Sequence, residues 1–305
     1  FTLLVAARAL QGVAAAGARV ISLSVVRDVH EGRQMARVMS LAMMVFMAIP
    51  MLAPNIGQAV LLVANWRWIF VVLGLYGAAI TAWVALRLDE TLPPERRRRL
   101  EVRGLLSSYA LVFKTRITCG YMLATGAVFG SLFAFISSSE QLYGDVFGRK
   151  KTFTLYFASV AAVMAVSAFV NSRLVERWGM RRLAHMALVG FVVVNLGLAL
   201  SLYGGVTSFW VFHGGMMLSF FCFGFVGANF NALAMEPLGQ IAGTASAALG
   251  FVSTVLAGTL GAAVGQQFNG TATPVTLGFA GLGTIALTII LITERGRLFG
   301  RGATA

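Results

Sequence analysis

The sequence predicts an all-α protein, a polytopic bundle of membrane-spanning helices. Of its 305 residues, 58% are hydrophobic and only 11% are charged, and the mean hydropathy is +0.81. A water-soluble domain of this length would have to expose far too much apolar surface. Apolar segments of the length that crosses a bilayer, about 20 residues, also recur along the whole chain. The sequence therefore predicts a multi-pass integral membrane protein with the lipid bilayer as its surroundings.

About nine segments are each long enough to cross a bilayer. In chain order they are Phe1–Val26, Met35–Val63, Trp68–Leu86, Ile117–Ser137, Thr152–Val170, Leu183–Tyr203, Ser208–Met235, Ile241–Gln267 and Val275–Ile292. The first of them starts at the first residue, with neither an initiator methionine nor the basic start of a signal peptide. We therefore interpret the sequence as a fragment of a longer chain.

The net charge of +13 comes from short basic clusters between the apolar segments. These are Arg27, Arg33 and Arg37; Arg87, Arg96–Arg99, Arg103, Lys114 and Arg116; Arg173, Arg177, Arg181 and Arg182; and Arg295, Arg297 and Arg301. All of them fall on one side if every segment crosses once, and the positive-inside rule makes that side the cytoplasm. Nucleic-acid binding is excluded on this distribution. The cluster Arg149, Lys150 and Lys151 falls on the opposite side. Either it forms a vestibule that attracts substrate, or the boundary of a predicted segment is wrong.

The residues that would support catalysis or metal binding are scattered. Cys119 and Cys222 each lie in an apolar run, and the three histidines have no metal-ligand spacing. A membrane enzyme needs a nucleophile with a base, or a metal cluster, at one depth, and no predicted span holds an Asp, Glu or His pair. The sequence therefore predicts no catalytic residues, no metal site and no enzyme activity.

The longest polar stretch, Leu88–Arg116, holds two prolines and four consecutive arginines. It separates a group of three segments from a group of six. We predict a first transmembrane part at residues 1–92, a cytoplasmic central loop at 93–115, and a second transmembrane part at 116–305 that ends in a short tail.

The first segment carries Arg8 and Arg19 where lipid should exclude them. Eleven residues return a helix to within about 20° of its starting direction, so the two guanidinium groups share one face. Gln11 lies on or near that face. An unpaired arginine at the centre of a membrane helix costs about 2.5–3.5 kcal/mol, which predicts water, an anion or a carboxylate beside this helix. The alternative is that Arg8 reaches the membrane surface and only Arg19 is buried.

Four motifs stand in the order found in a known family. Arg8-Ala9-Leu10-Gln11-Gly12 resembles the fourth-helix motif of the major facilitator superfamily. Pro50 followed by Ala53-Pro54-Asn55-Ile56-Gly57 resembles the antiporter motif of its fifth helix, and Trp66-Arg67-Trp68 resembles the start of the sixth. The stretch from Arg173 to Arg182 resembles the loop between the eighth and ninth helices.

Within the superfamily the chain is most similar to the Bcr/CflA drug-resistance branch. Val26-Arg27-Asp28, Phe133-Ala134-Phe135-Ile136-Ser137 and Asn231-Ala232-Leu233-Ala234-Met235-Glu236-Pro237 carry that resemblance. It implies a twelve-helix fold of major-facilitator type whose first three helices are absent here. Residues 1–92 would then be helices four to six, and residues 116–305 helices seven to twelve.

The resemblance implies a secondary active transporter that exports small molecules or drugs by alternating access. No cofactor is expected, and the proton gradient is the expected energy source. The expected setting is a bacterial-type inner membrane, with the protein as a monomer. The acids of the sequence lie in loops or near segment ends, so a proton-carrying acid is expected in the absent helices.

The predicted site residues fall into three groups. The cavity group is Arg8, Gln11, Arg19, Phe133, Asn229 and Asn231; the gating group is Pro50, Pro54 and Gly57; and the group of a cytoplasmic latch is Arg173, Glu176, Arg177, Gly179, Arg181 and Arg182. Asparagine inside a membrane has to find a polar partner, which favours the two asparagines over any single phenylalanine. Pro50 and Pro54 would each bend their helix. The bend either takes part in the exchange between inward and outward states or is a static kink at a packed interface. Alternatively, the latch residues form no latch, and their positive charge only sets the orientation of the helices in the membrane.

Small residues recur in steps of three and four along the eighth segment. They are Gly243, Ala247, Gly250, Thr254, Gly258, Gly261 and Gly265. Such a stripe allows close helix packing, and the resemblance adds that this helix lies at the seam between halves. Two other kinds of function stay open: a major-facilitator uptake or metabolite transporter, and a membrane-embedded enzyme or structural bundle.

Overall fold

The computed structural model describes residues 2–29, 38, 53, 56–89, 102–205 and 208–300. Nine α-helices are defined in these ranges: α1 (Thr2–Val29), α2 (Arg67–Arg87), α3 (Val102–Lys114), α4 (Arg116–Gln141), α5 (Phe153–Trp178), α6 (Met180–Tyr203), α7 (Phe209–Met235), α8 (Ala242–Gly265) and α9 (Thr273–Thr293). A π-helical turn, Leu142–Val146, extends α4, and a 3₁₀ segment, Glu236–Ile241, links α7 to α8. Residues 56–63 are also helical. The predicted all-α class is confirmed.

Seven helical stretches in the described part are long and apolar enough to cross a membrane. They are Arg67–Arg87, Arg116–Val146, Lys150–Trp178, Met180–Tyr203, Phe209–Leu238, Gly243–Gly265 and Thr273–Thr293. Each coincides with one of the predicted segments. Of the other two predictions, the first lies on α1, and the second falls mostly outside the described residues.

The predicted polar linker contains a helix that the sequence analysis missed. Helix α3 is only 13 residues long, too short to be found by a search for membrane spans. Its buried Val112 packs with Leu238, Ala245 and Ala248 in a small apolar cluster. The helix forms because apolar side chains recur at helical spacing and have this surface to pack against.

The chain divides into two compact units, Phe1–Arg99 and Leu100–Ala305. In the first unit, α1 and α2 meet where the Arg8 guanidinium lies 5.1 Å from the centroid of the Phe70 ring. The predicted boundaries of the central loop stay predictions, since residues 90–101 lie outside the described ranges.

In the second unit, α4 packs against α7, α8 and α9, while α6 packs against α7 and α9. Helix α5 packs mainly against α7. Large aromatic side chains fill the interior of this bundle. Tyr121, Phe135, Phe191, Phe220, Phe230 and Phe279 are all fully buried. Helices in lipid associate through such close packing rather than through exclusion of water.

Helix α8 packs through a ridge that differs from the predicted stripe. The packed positions follow a four-residue step, Ala245, Leu249, Ser253, Ala257, Gly261 and Gly265. Such a ridge fits the groove of a neighbouring helix. The Ser253 hydroxyl donates to the Met122 carbonyl of α4, and a Cβ at Gly261 would lie 2.8 Å from the Gly130 carbonyl oxygen. Of the predicted stripe, Gly261 and Gly265 belong to this packed ridge, whereas Gly243, Ala247, Gly250 and Thr254 are exposed in the second unit.

Hydrogen bonds between distant helices define the two ends of this bundle. At the end that carries the basic clusters, the Thr118 hydroxyl of α4 donates to the Ala234 carbonyl of α7 at 2.8 Å. At the opposite end, the Tyr143 hydroxyl lies 2.9 Å from Nδ1 of His213. We call the first of these the basic end. The α5–α6 turn, the α7–α8 link and residues 294–300 all lie there.

Candidate functional site

The site at the basic end is built on a turn of a single glycine. Helix α5 ends at Trp178 and α6 begins at Met180, so Gly179 caps both helices. Its φ of +77° lies in the left-handed region, which a glycine adopts without steric cost. The prediction that Gly179 makes this tight turn is confirmed. The turn places Arg181 in the first turn of α6, facing the ends of α7 and α9.

Arg181 lies between two carboxylates from different helix ends. Its Nη2 donates to Oε2 of Glu236 at 3.1 Å, and its Nε donates to Oε1 of Glu294 at 3.2 Å. The Arg181 side chain is 18% exposed and that of Glu294 is 14% exposed, whereas Glu236 is 48% exposed. The forked guanidinium suits such divided pairing, which a lysine ammonium would not reproduce. We call Arg181, Glu236 and Glu294 the ion-pair cluster.

A second layer of polar groups lies behind the cluster. The hydroxyl of the fully buried Tyr121 donates to Oε1 of Glu294 at 2.7 Å and lies 2.9 Å from Nε2 of His185. The other ring nitrogen of His185, Nδ1, accepts from the backbone N–H of Phe299 at 3.1 Å. Four helix ends and the segment after α9 therefore meet in one connected network.

A cavity of about 390 Å³ opens beside the ion-pair cluster. Its lining consists of Glu176, Arg177, Trp178, Gly179, Met180, Arg181, Arg182, Leu233, Glu236 and Gly300. Three arginines and two glutamates give this lining five charged side chains. The cavity is therefore a charged opening at the basic end of the bundle rather than an apolar pocket of the kind that encloses drug-like molecules.

The structure separates the predicted latch residues into two sets. Arg181 forms the ion-pair cluster, while Arg173, Glu176, Arg177 and Arg182 are exposed. Arg173 lies over the ring of Phe169 at 5.1 Å, and Arg182 lies over that of Trp178 at 5.7 Å. Among the described residues, no cationic nitrogen lies within 4.0 Å of the Glu176 carboxylate.

The acids that pair with Arg181 were missed by the sequence analysis. They lie 55 and 113 residues away from Arg181. A signal was present, because alternating spans bring the end of α7, the end of α9 and the start of α6 to the same side. That topology indicates a shared side but not which acid reaches which arginine.

The predicted cavity asparagines have different surroundings. Asn229 is 2% exposed, and its Nδ2 donates to Oδ1 of Asn171 on α5 at 2.7 Å. Asn231 is exposed and donates to the Gly227 carbonyl of its own helix at 2.9 Å. The polar partner expected for Asn229 is thus Asn171.

A further asparagine of the membrane interior was missed. Fully buried Asn195 donates to the Ser219 hydroxyl at 2.8 Å and joins α6 to α7. Its Oδ1 is buried without a hydrogen-bond partner among the described residues, as is the Ser131 hydroxyl oxygen on α4. The available signal was that Asn195 is a lone amide within an apolar run. With Asn171, Asn195 and Asn229 buried, the bundle interior offers several amide groups for polar contacts.

The remaining predicted residues lie as follows. Arg8 is exposed in the first unit and donates to Gln11 Oε1 at 2.8 Å. Arg19 lies in α1, but its side chain is outside the described part. Phe133 is 39% exposed on α4, and Gly57 is half-buried in the helical stretch 56–63. Pro50 and Pro54 lie outside the described residues.

Together, the long apolar helices, the polar interior and the ion-pair cluster define a polytopic membrane protein. The sequence profile of the Major Facilitator Superfamily matches residues 1–262. The chain belongs to the major facilitator superfamily, and its relatives assign it to the Bcr/CflA type.

Three relatives illustrate the match. An uncharacterized MFS-type transporter of Bacillus subtilis, YdgK, is 32% identical over 87% of this chain and 66% of its own length. The Bicyclomycin resistance protein homolog of Haemophilus influenzae is 30% identical over 88% of this chain and 68% of its own length. The Chloramphenicol resistance protein of Pseudomonas aeruginosa is 28% identical over 94% of this chain and 68% of its own length. The chain spans about two thirds of the length of these relatives.

Proposed function

We propose that this chain is the greater part of a secondary transporter that exports drug-like small molecules by alternating access. The observation that carries the proposal is the membership of the family together with relatives that are named for resistance to bicyclomycin and chloramphenicol. The family is one of transporters rather than enzymes. Its members move solutes by rocking two helical halves around a central site.

The ion-pair cluster supports this mechanism. Arg181 connects the start of α6 to the ends of α7 and α9, so it fixes three helix ends relative to each other. An opening of the basic end would have to move these ends apart or move them together as a unit. In the proposed mechanism the cluster keeps the second unit rigid at its gate, as the predicted latch would.

Two sets of exposed residues in the second unit have proposed roles in transport. The exposed amide of Asn231 contributes to the substrate path, whereas the Asn171–Asn229 pair joins α5 to α7. Four small residues of α8, Gly243, Ala247, Gly250 and Thr254, are exposed in the second unit. In this proposal they form a smooth exposed surface along α8 that permits sliding during transport.

The setting is part of the same proposal. The basic end faces the cytoplasm of a bacterial cell, the membrane is the inner membrane, and the protein acts as a monomer. Protons are the coupling ion, and no cofactor takes part. The acids of the described spans lie near the span ends, so the main proton site is assigned to residues outside the described part.

Counterflow in vesicles tests the transport function directly. The intact protein is reconstituted, the vesicles are loaded with an unlabelled drug, and entry of the labelled drug is followed. A transporter gives a transient accumulation that protein-free vesicles lack. Absence of counterflow across a panel that includes bicyclomycin and chloramphenicol would reject drug transport, and chemical conversion of a compound would favour an enzyme.

A further inference from the structure

The segment that follows α9 is held in an unusual backbone conformation. Within the five residues from Arg295 to Phe299, two non-glycine residues have positive φ, 53° at Arg295 and 65° at Phe299. Gly296 between them has a φ of 77°. Non-glycine residues adopt this region at a cost, so surrounding contacts have to maintain it.

Two contacts hold this segment against the bundle. Leu298 packs against the main apolar core of the second unit. The Phe299 N–H donates to Nδ1 of His185, and the two rings lie edge to face with centroids 6.1 Å apart. His185 itself is fully buried.

One assignment of donors and acceptors satisfies all the hydrogen bonds around His185. The hydroxyl hydrogen of Tyr121 is used toward Glu294, so the Tyr121 oxygen is left to accept from His185 Nε2–H. Nδ1 of the same ring is then unprotonated and accepts from the Phe299 N–H. This is the neutral Nε2–H tautomer, in which every donor in this series of hydrogen bonds meets an acceptor. The series of hydrogen bonds runs from Phe299 through His185 and Tyr121 to Glu294, and Glu294 also accepts from Arg181.

We propose that residues 295–300 form a strap that docks beside the ion-pair cluster, with His185 as its docking residue. Tyr121 is a positioning residue that fixes the carboxylate of Glu294 for Arg181. Through His185 and Tyr121, the backbone N–H of Phe299 in the strap is thereby connected to the carboxylate of Glu294 in the ion-pair cluster. Its role at the gate rests on the proposed function, but its docking is a property of the second unit alone.

Docking can be measured by the accessibility of a cysteine at Leu298, the packed residue of the strap. Cys119 and Cys222 are replaced by serine, Leu298→Cys is introduced in the intact protein, and labelling by a membrane-impermeant maleimide is timed. Two variants at Phe299 form a matched pair, since both remove the ring. Phe299→Gly keeps the N–H and tolerates the positive φ, whereas Phe299→Pro has no N–H and cannot adopt it.

The expected result is at least about fivefold faster labelling in Phe299→Pro than in Phe299→Gly, since proline loses the hydrogen bond to His185 and is also excluded from the positive φ of the docked strap. His185→Phe, which keeps a ring but no nitrogen, should behave like Phe299→Pro. Equal labelling rates in the two Phe299 variants would overturn the proposal, and so would an unchanged rate in His185→Phe. The Phe299 variants lie outside the core, so they remain informative should His185→Phe fail to fold.

A double-mutant cycle tests the positioning role of Tyr121. Tyr121→Phe keeps the edge-to-face packing on Phe230, whose centroid lies 5.0 Å away. If Tyr121 acts through Glu294, Tyr121→Phe should alter labelling at position 298 in the parent but add nothing in Glu294→Ala, which removes the oxygen that accepts from the Tyr121 hydroxyl. Independent, additive effects would show that the hydroxyl does not act through Glu294. Because labelling needs no substrate, these outcomes are independent of any failure to detect transport.

Discussion

The Nε atom of Arg181 lies 3.2 Å from Oε1 of Glu294, across 113 residues of sequence. The same guanidinium reaches Glu236 through Nη2, so one arginine satisfies two acids from two other helix ends. Both Arg181 and Glu294 are largely withdrawn from solvent. A charge in that position is stable only while its partner remains, because removal of one member leaves the other without compensation.

Replacement of Arg181 by alanine should lower both stability and transport. Glu294 would be left with one donor, the Tyr121 hydroxyl, and the loss of charge-assisted bonds should cost about 1–3 kcal/mol. Arg181→Lys should recover part of this, since it keeps the charge but not the fork. Thermal unfolding in detergent measures the effect.

Arg177→Ala is the matched control, because Arg177 is an exposed arginine of the same turn. It should change the unfolding temperature little. Equal losses in Arg177→Ala and Arg181→Ala would contradict a specific role for the ion-pair cluster.

The helices of the second unit could be predicted from sequence because membrane spans depend on local composition. The segment predicted at Leu183–Tyr203 is the helix Met180–Tyr203, and that predicted at Ser208–Met235 is the helix Phe209–Met235. Helix α3 was missed because its apolar face needs a specific partner surface rather than lipid. The identity of each helix–helix contact depends on tertiary packing, which one sequence does not show.

The candidate site shows the same division. The turn at Gly179 follows from a single residue type at a short connection, and it was predicted correctly. The pairing of Arg181 with Glu236 and Glu294 depends on how three helices are rotated about their axes. Helix rotation also decides that only Gly261 and Gly265 of the predicted stripe lie in the packed ridge of α8.

Two glycines of α8 should respond differently to the same substitution. At Gly261 a new Cβ would lie 2.8 Å from the Gly130 carbonyl oxygen, while at Gly250 nothing lies within 4 Å in the described structure. Gly261→Ala should therefore lower stability by about 1–3 kcal/mol, since backbone atoms cannot move aside. Gly250→Ala should leave the folded bundle unchanged.

The larger pair, Gly261→Leu and Gly250→Leu, separates stability from transport. Gly261→Leu should reduce the yield of folded protein in size-exclusion chromatography. Gly250→Leu should fold normally but transport more slowly, because in our proposal the smooth exposed surface of α8 permits sliding. Normal transport by Gly250→Leu would contradict the proposed role of the exposed small residues.

The two asparagines of α7 should separate structural and functional roles. Asn229→Ala removes the 2.7 Å bond to Asn171 and should cost about 0.6–1.7 kcal/mol, the range for hydrogen bonds between membrane helices. Asn231→Ala breaks only a bond to its own helix and should leave the unfolding temperature nearly constant. It should instead change relative transport rates within a drug panel. A larger loss of stability in Asn231→Ala than in Asn229→Ala would reverse these assignments.

Arg19 should be the more sensitive of the two arginines of α1. If it lines a cavity beside a carboxylate or an anion, Arg19→Lys should impair transport and Arg19→Ala should abolish it with the protein still inserted. Arg8 has an alternative setting, with Gln11 and Phe70 as its contacts, so Arg8→Ala should have the smaller effect. Drug efflux from cells, with membrane abundance determined in parallel, measures both. Normal transport by Arg19→Leu across the panel would show that the arginine does not serve the cavity.

Coupled export is the central claim, and drug uptake driven by an imposed pH gradient tests it most directly. The intact protein is placed in liposomes whose lumen is more acidic than the outside, and labelled drug is added outside. Outward proton flow should then drive accumulation of the drug, and a protonophore should abolish it. Counterflow that proceeds normally while uptake ignores the gradient, or uptake that requires an alkaline lumen, would contradict proton-coupled drug export.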